Sequence, residues 1–169
     1  MAREALLTFG LDKVVFIPAA VPPHKAAQTG AGYEQRLAMV RLACADEPRF
    51  QPSRLEEDNR KSYSIFTIER VRALLAPMDE LFFIIGADAF AEIRTWFRWQ
   101  DVLAVVQFIV VTRPGHEYEL PPGARVRRLE TLALAESSSE IRRKLAAGEL
   151  SFELPPAVAQ YIAERDLYR

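Results

Sequence analysis

The 169-residue sequence predicts a doubly wound α/β fold, a mostly parallel sheet flanked by helices, and three observations carry that expectation. Short apolar runs rich in β-branched and aromatic residues recur at Val14-Val15-Phe16-Ile17, Leu81-Phe82-Phe83-Ile84-Ile85 and Phe108-Ile109-Val110-Val111. Near-continuous hydrophobicity suits parallel strands covered on both faces, where a sheet with one wet face would alternate. Between these runs lie segments of helical period, Leu37, Val40 and Cys44, then Ile68, Val71 and Leu75, each with charges on the opposite face. Strand and helix therefore alternate along the chain, the order of a fold that binds ligands beyond the carboxyl ends of its strands.

The elements follow in order. Ala2-Arg3-Glu4-Ala5-Leu6-Leu7 reads as a helix with no strand or cap before it. The strand at Val14–Ile17 is stopped by Pro18, and the loop from Pro22 to Tyr33 leads into the first periodic helix. Weaker strands are expected through Phe50-Gln51-Pro52-Ser53-Arg54-Leu55 and Arg125-Val126-Arg127-Arg128-Leu129. The tail is helical: Ser137-Ser138-Ser139-Glu140 is a capping-box pattern with Ser137 at the N-cap. Gly148 is a helix stop, and Pro155-Pro156 restarts a helix through Tyr161-Ile162. No repeat or linker divides the chain, so residues 1–169 read as a single α/β domain, with Pro22–Tyr33 and His116–Gly123 as its mobile parts.

Composition narrows the function. Half of the residues are hydrophobic and 27% are charged, which excludes a disordered scaffold. A net charge of −1 gives no basic excess for nucleic acid or a membrane surface. The one cysteine, Cys44, excludes a disulfide framework and a cysteine zinc site and suits a reducing compartment. The longest apolar run, Val102 to Val111, is broken by Gln107 and falls short of the roughly 18–20 residues of a membrane span. No basic region precedes an apolar stretch at the front, so a soluble cytoplasmic protein is expected.

Candidate chemistry sits just after the strands. Gly30-Ala31-Gly32 lacks the third glycine of a dinucleotide fingerprint, and no strand immediately precedes it. His24 and His116 lie in different loops, which argues against a metal site built from them. Pro22-Pro23 stiffens the turn that carries His24 and Lys25, which either project toward a ligand or decorate an exposed loop. Gly86 permits close approach of a ligand, and Asp88 either accepts hydrogen bonds from it or caps a helix. Of the pair Trp96 and Trp99, one indole is free to stack on a flat heterocycle if the other is core. Ser137-Ser138-Ser139 with Arg142 one turn on forms either a polyanion cradle or an ordinary helix start.

Taken together, these segments resemble the bacterial nicotinate-nucleotide adenylyltransferases of the nucleotidyltransferase α/β-phosphodiesterase superfamily. The resemblance spans essentially the whole chain, and its specificity lies in the order and spacing of its motifs. These are Leu11-Asp12-Lys13-Val14-Val15-Phe16-Ile17-Pro18, Pro22-Pro23-His24-Lys25, Arg36-Leu37-Ala38-Met39, Ser62-Tyr63-Ser64-Ile65-Phe66-Thr67, Gly86-Ala87-Asp88-Ala89-Phe90, Thr95-Trp96, Thr112-Arg113-Pro114-Gly115 and Ser137-Ser138-Ser139-Glu140-Ile141-Arg142. It implies a Rossmann-like fold and transfer of an adenylyl group from ATP to nicotinate mononucleotide, giving deamido-NAD and pyrophosphate with Mg2+. It further implies that His24, Lys25, Tyr63, Ser64, Thr67, Gly86, Asp88 and Trp96 surround the nicotinate nucleotide, with Trp96 stacked on the pyridine ring. Ser138, Ser139 and Arg142 match the triphosphate cradle, and Arg113 lies near the nucleotide.

The chain departs from the family pattern at several places. Ser139 stands where threonine is usual, Glu136 where an apolar residue is usual, and Phe66 where aspartate is common. The family opens with a strand and Gly-x-Phe-Asp-Pro-x-His-x-Gly-His, whereas Ala2-Arg3-Glu4-Ala5 resembles the helix after that motif. The expectation is that about 20 residues, including a central strand, precede this point in the family. Residues 1–169 alone are then expected to be poorly active and destabilised, and neither His24 nor His116 replaces the motif histidines. A non-catalytic mononucleotide-binding or regulatory homologue is the alternative expectation.

Overall fold

The computed structural model describes residues 1–21, 30–58, 61–131, 138–149 and 154–168, and Ser138 in its backbone only. Contacts divide the chain into two compact units, residues 1–11 with 62–134 and residues 12–61 with 135–169.

The first unit is built on a parallel ladder in the order β3 (Phe82–Gly86), β4 (Gln107–Thr112), β5 (Val126–Glu130). Its middle strand explains why an unbroken apolar run was needed there. Phe108 and Val110 point into one hydrophobic cluster, Ile109 and Val111 into another on the opposite face, and all four are sealed from water. The period-two alternation of a strand thus serves two cores at once. Phe83 and Ile85 of β3 join the first cluster, and Phe82 and Ile84 join the second.

Helix α1 (Ala2–Thr8) contributes Ala5 to the second cluster, and Glu4 Oε1 accepts the Thr131 hydroxyl at 2.8 Å, tying α1 to the end of β5. The first cluster is covered by α3 (Ser64–Arg72) through Ile65 and Ile68, by α4 (Ala87–Ala91) through Phe90, and by α5 (Trp99–Val105) through Val102 and Leu103. The α3 face differs from the expected register. Ile65 and Ile68 carry the packing, Val71 is only partly buried, and the helix ends at Arg72 before Leu75. The apolar run from Val102 to Val111 divides at Val106, its first half closing α5 and its second half forming β4.

The second unit holds β1 (Val14–Phe16) and β2 (Phe50–Pro52), a short parallel pair in which the Phe16 and Phe50 rings meet edge-on at 5.1 Å. Both strands are shorter than the runs that predicted them. Helix α2 (Tyr33–Cys44) buries Leu37 and Cys44. Helix α7 (Pro156–Glu164) starts at the second proline of the expected pair and buries Val158 and Ile162 with Ala31 and Leu167. Helix α6 (Ser138–Ala146) ends as the sequence predicts. Gly148 takes φ 74°, its amide bonds to the Leu145 carbonyl, and the Glu149 amide bonds to the Lys144 carbonyl. The expected N-cap, Ser137, lies outside the described residues.

Gly30 and Gly32 have structural uses here. A Cβ on Gly30, at φ 60°, would lie 2.8 Å from the Tyr168 ring, and the Gly32 amide donates to Gln35 Oε1 at 2.7 Å as the N-cap of α2. No helix among the described residues is long and apolar enough to cross a membrane.

Phe108 is fully buried, with the Phe90 ring at 5.1 Å and the Phe83 ring at 6.0 Å. Phe108→Ala is expected to cost about 3–5 kcal/mol of unfolding free energy, measurable by urea denaturation.

Candidate active site

Because β3, β4 and β5 are parallel and in register, their carboxyl ends share one edge. Gly86 pairs with Val111, and Thr112 pairs with Glu130. Gly86, Asp88 and Arg113 follow at once, so the ladder sets these three expected site residues along one rim. Gly86 is the N-cap of α4, so Asp88 stands in the first turn; the helix-cap reading of Asp88 is thereby corrected. Its carboxylate is fully exposed, with His116 Nε2 4.0 Å from Oδ1.

Nothing in the fold calls for glycine at position 86. Its φ of −72° suits any residue, and a Cβ there would meet no atom within 4 Å.

Trp96 follows the 3-10 turn Ile93–Thr95, whose Thr95 hydroxyl donates to the Glu92 carbonyl at 2.8 Å. The indole packs against the first core and meets the Phe83 ring of β3 edge-on at 5.9 Å. Trp99 packs on the same core, so neither indole is free of the interior, and Trp96 is partly buried. Tyr63 is the N-cap of α3, with Ser64 and Thr67 in its first turn. The Phe66 and Thr67 amides both reach the Tyr63 carbonyl, at 3.0 and 3.4 Å.

The segment His116–Gly123, expected to be mobile, carries several tethers. The His116 amide donates to the Arg113 carbonyl at 3.1 Å, and Arg128 donates to the His116 carbonyl. Tyr118 packs edge-on to Phe90 at 5.6 Å, and Arg94 pairs with Glu119 at 2.6 Å. Burial pushes the Tyr118 phenol above its usual range, while the Arg128 guanidinium pulls the other way. The proximity of His116 to Asp88 was missed in the sequence. Its available signal was Arg113-Pro114-Gly115, a turn with Gly115 at φ 76° that folds the next residue back.

In the second unit Arg142 Nη2 lies 3.3 Å from the Ser139 hydroxyl, so the expected phosphate-facing pair is together on the first turns of α6. Ser138 belongs to the same helix start, and its side chain is outside the described atoms, as are His24 and Lys25 entirely. The Tyr168 phenol is raised by burial and lowered by Arg142 and Arg36, so both cations act in its neighbourhood. Arg36, quoted above only as part of a motif, donates to the Ala19 and Ala20 carbonyls at 2.6 and 3.3 Å, and Glu56 Oε2 accepts the Ala20 amide at 3.4 Å. These bonds hold the chain as it leaves β1. The described residues contain no group of three His, Cys, Asp or Glu side chains able to hold a metal ion.

A parallel α/β core with an open glycine and an exposed carboxylate at its strand ends suits a nucleotide-binding protein. The chain belongs to the cytidylyltransferase-like family, whose model matches residues 1–144.

More narrowly, it is 59% identical over 167 residues to a probable nicotinate-nucleotide adenylyltransferase of Solibacter usitatus, covering 99% of this chain and 89% of that one. A protein of the same description from Symbiobacterium thermophilum is 44% identical over 180 residues, covering 99% of this chain and 86% of the relative. Among solved structures, a Plasmodium falciparum nicotinic acid mononucleotide adenylyltransferase complexed with NaAD superposes with a TM-score of 0.75. That match covers 99% of this chain and 90% of the other, and at 15% identity it speaks for the fold alone.

Gly86→Ala isolates the role of the open space. The entropic gain of alanine, about 0.4–1 kcal/mol, is opposed by a comparable loss of glycine at an N-cap. Unfolding free energy is expected to stay within about 0.5 kcal/mol by urea denaturation, while binding of nicotinate mononucleotide weakens in calorimetry.

Proposed function

We propose that this chain transfers the adenylyl group of ATP to nicotinate mononucleotide, forming deamido-NAD and pyrophosphate in the cytoplasm. The observation that carries this reading is the 59% identity, across 99% of the chain, to a relative of that description. The arrangement at the strand ends agrees with it chemically. A phosphate oxygen of the mononucleotide attacks the α-phosphorus of ATP, the bond to the bridging α–β oxygen breaks, and pyrophosphate leaves with that oxygen. Such a transfer demands alignment and charge stabilisation more than a protein base.

In this reading Trp96 offers its ring face to the pyridine, held by Phe83 behind it. Gly86 leaves room for the nucleotide and Asp88 accepts its hydroxyl or amide protons. Tyr63, Ser64 and Thr67 serve the mononucleotide from the start of α3, and His24 and Lys25, outside the described residues, are assigned to it by the family pattern alone. Ser138, Ser139, the first amides of α6 and Arg142 receive the triphosphate, because helix N-terminal amides and a guanidinium both favour phosphate oxygens. Arg113 adds a cation close to the nucleotide. Mg2+ would accompany ATP and neutralise charge on its phosphates.

The defining assay is pyrophosphate release with ATP and nicotinate mononucleotide supplied together and singly. Release that requires both is expected; binding of the mononucleotide without release would favour the non-catalytic alternative. Trp96→Ala should weaken nicotinate mononucleotide binding by about 5- to 150-fold, the equivalent of about 1–3 kcal/mol of stacking. Arg142→Ala should instead weaken ATP binding by about 10-fold or more and leave the mononucleotide affinity within about twofold, because it removes a charge-assisted phosphate contact.

A further inference from the structure

Beside the proposed pyridine site lies an aromatic cluster of which only Tyr63 has been given a role. The Phe97 ring lies 4.7 Å from Tyr63 and 5.8 Å from Phe66, and those two rings are 6.1 Å apart. Phe66 and Phe97 are nevertheless 40% and 47% exposed. The cluster joins α3 to the connector between the 3-10 turn and α5, and that connector carries Trp96.

The backbone shows how the two are coupled. Trp96 is extended, at φ −75° and ψ 143°, so adjacent side chains leave the chain on different sides. The indole goes to Phe83 of β3 and the Phe97 ring goes to α3. The next residue, Arg98, takes φ 54°, a left-handed conformation unfavourable for a side chain of its size. It is held there by Glu69 of α3 at 3.3 Å and Asp101 of α5 at 2.6 Å. Three consecutive residues are thus each anchored to a different partner, and displacement of one moves the others. Two of those anchors are on α3, which also carries Ser64 and Thr67.

We infer that Phe97, backed by Phe66, is a positioning residue that holds the connector to α3, fixes the Trp96 indole on Phe83 of β3 and so sets affinity for the pyridine mononucleotide. The inference rests on the proposed placement of the pyridine ring at Trp96. Phe97 itself touches no substrate; it acts by holding the connector.

The test uses the full chain and calorimetry with nicotinate mononucleotide and, separately, a non-hydrolysable ATP analogue. Phe97→Ala is expected to weaken mononucleotide binding by about 10- to 100-fold, the scale of a small misplacement of a binding group. Binding of the ATP analogue should stay within about twofold of the parent, and Phe97→Tyr, which keeps the ring, should restore mononucleotide binding. In a Trp99→Phe background, Trp96 fluorescence should become more readily quenched by acrylamide in Phe97→Ala and not in Phe97→Tyr. Phe66→Ala, which removes a more peripheral ring, should show the same pattern at smaller size and stands in if Phe97→Ala does not fold.

Parent-like mononucleotide affinity in a folded Phe97→Ala protein would overturn the inference, as would equal losses for both ligands. Trp96→Ala separates the two levels of failure. If that variant binds the mononucleotide normally, the placement of the pyridine fails and takes the inference with it. If it binds weakly while Phe97→Ala binds normally, the inference alone fails.

Discussion

The first unit depends on one constraint, the burial of β4 on both faces. Phe108 and Val110 serve one core, Ile109 and Val111 the other, and Thr112 at the strand's end is equally sealed. A strand in that position cannot slip by one residue without exchanging every side chain between cores, so its register is strongly specified. The neighbouring strands inherit that register through parallel pairing. The alignment of Gly86, Asp88 and Arg113 along one edge is therefore a consequence of core packing, achieved before any ligand is bound.

The strands and the ends of α6 and α7 were legible because each is dictated by local chemistry. Continuous β-branched and aromatic runs marked β3 and β4, and the Pro155-Pro156 pair and Gly148 marked helix boundaries. Where the signal was only periodic it misled by a turn: α3 packs through Ile65 and Ile68, and its expected continuation to Leu75 lies beyond the helix end. Period alone does not say which stripe meets the core when apolar residues stand on two adjacent stripes. The places of Gly86 and Asp88 at the end of β3 were readable because they follow an apolar run, and the tryptophan pair was readable as packing on a core. The tethers were not. Arg128 to the His116 carbonyl, Arg94 to Glu119 and Arg36 to the Ala19 and Ala20 carbonyls join residues 12 to 25 positions apart, with no spacing rule to announce them.

Those tethers share a character that fits the proposed chemistry. Adenylyl transfer places two phosphorus-bearing ligands in line and stabilises charge as it moves to the leaving pyrophosphate. The protein's work is to hold positions, and arginine suits it because a planar guanidinium can bind two acceptors in fixed directions. Arg36 does this at the exit of β1, taking two successive carbonyls. Arg128 does it at the segment after β4, where it also lies over the Tyr118 ring at 5.6 Å. Exposed ion pairs such as Arg94–Glu119 add little to global stability. Their value is local, in keeping a connecting segment from sampling other shapes near the rim.

Arg98 puts the same logic in its sharpest form. A left-handed arginine is a local cost, of order 1 kcal/mol or more, and it persists only where the surroundings over-determine it. Here they do so through carboxylates on two helices, while the preceding two residues are packed against β3 and α3. A glycine at 98 would adopt the turn without strain but would lose both ion pairs and restore freedom to the connector. The strain and its compensation thus trade backbone comfort for a fixed direction of approach, and the side chain whose direction is fixed is Trp96. On the proposed reading, in which this indole receives the pyridine ring, such fixing counts because a small misplacement of a binding group is costly.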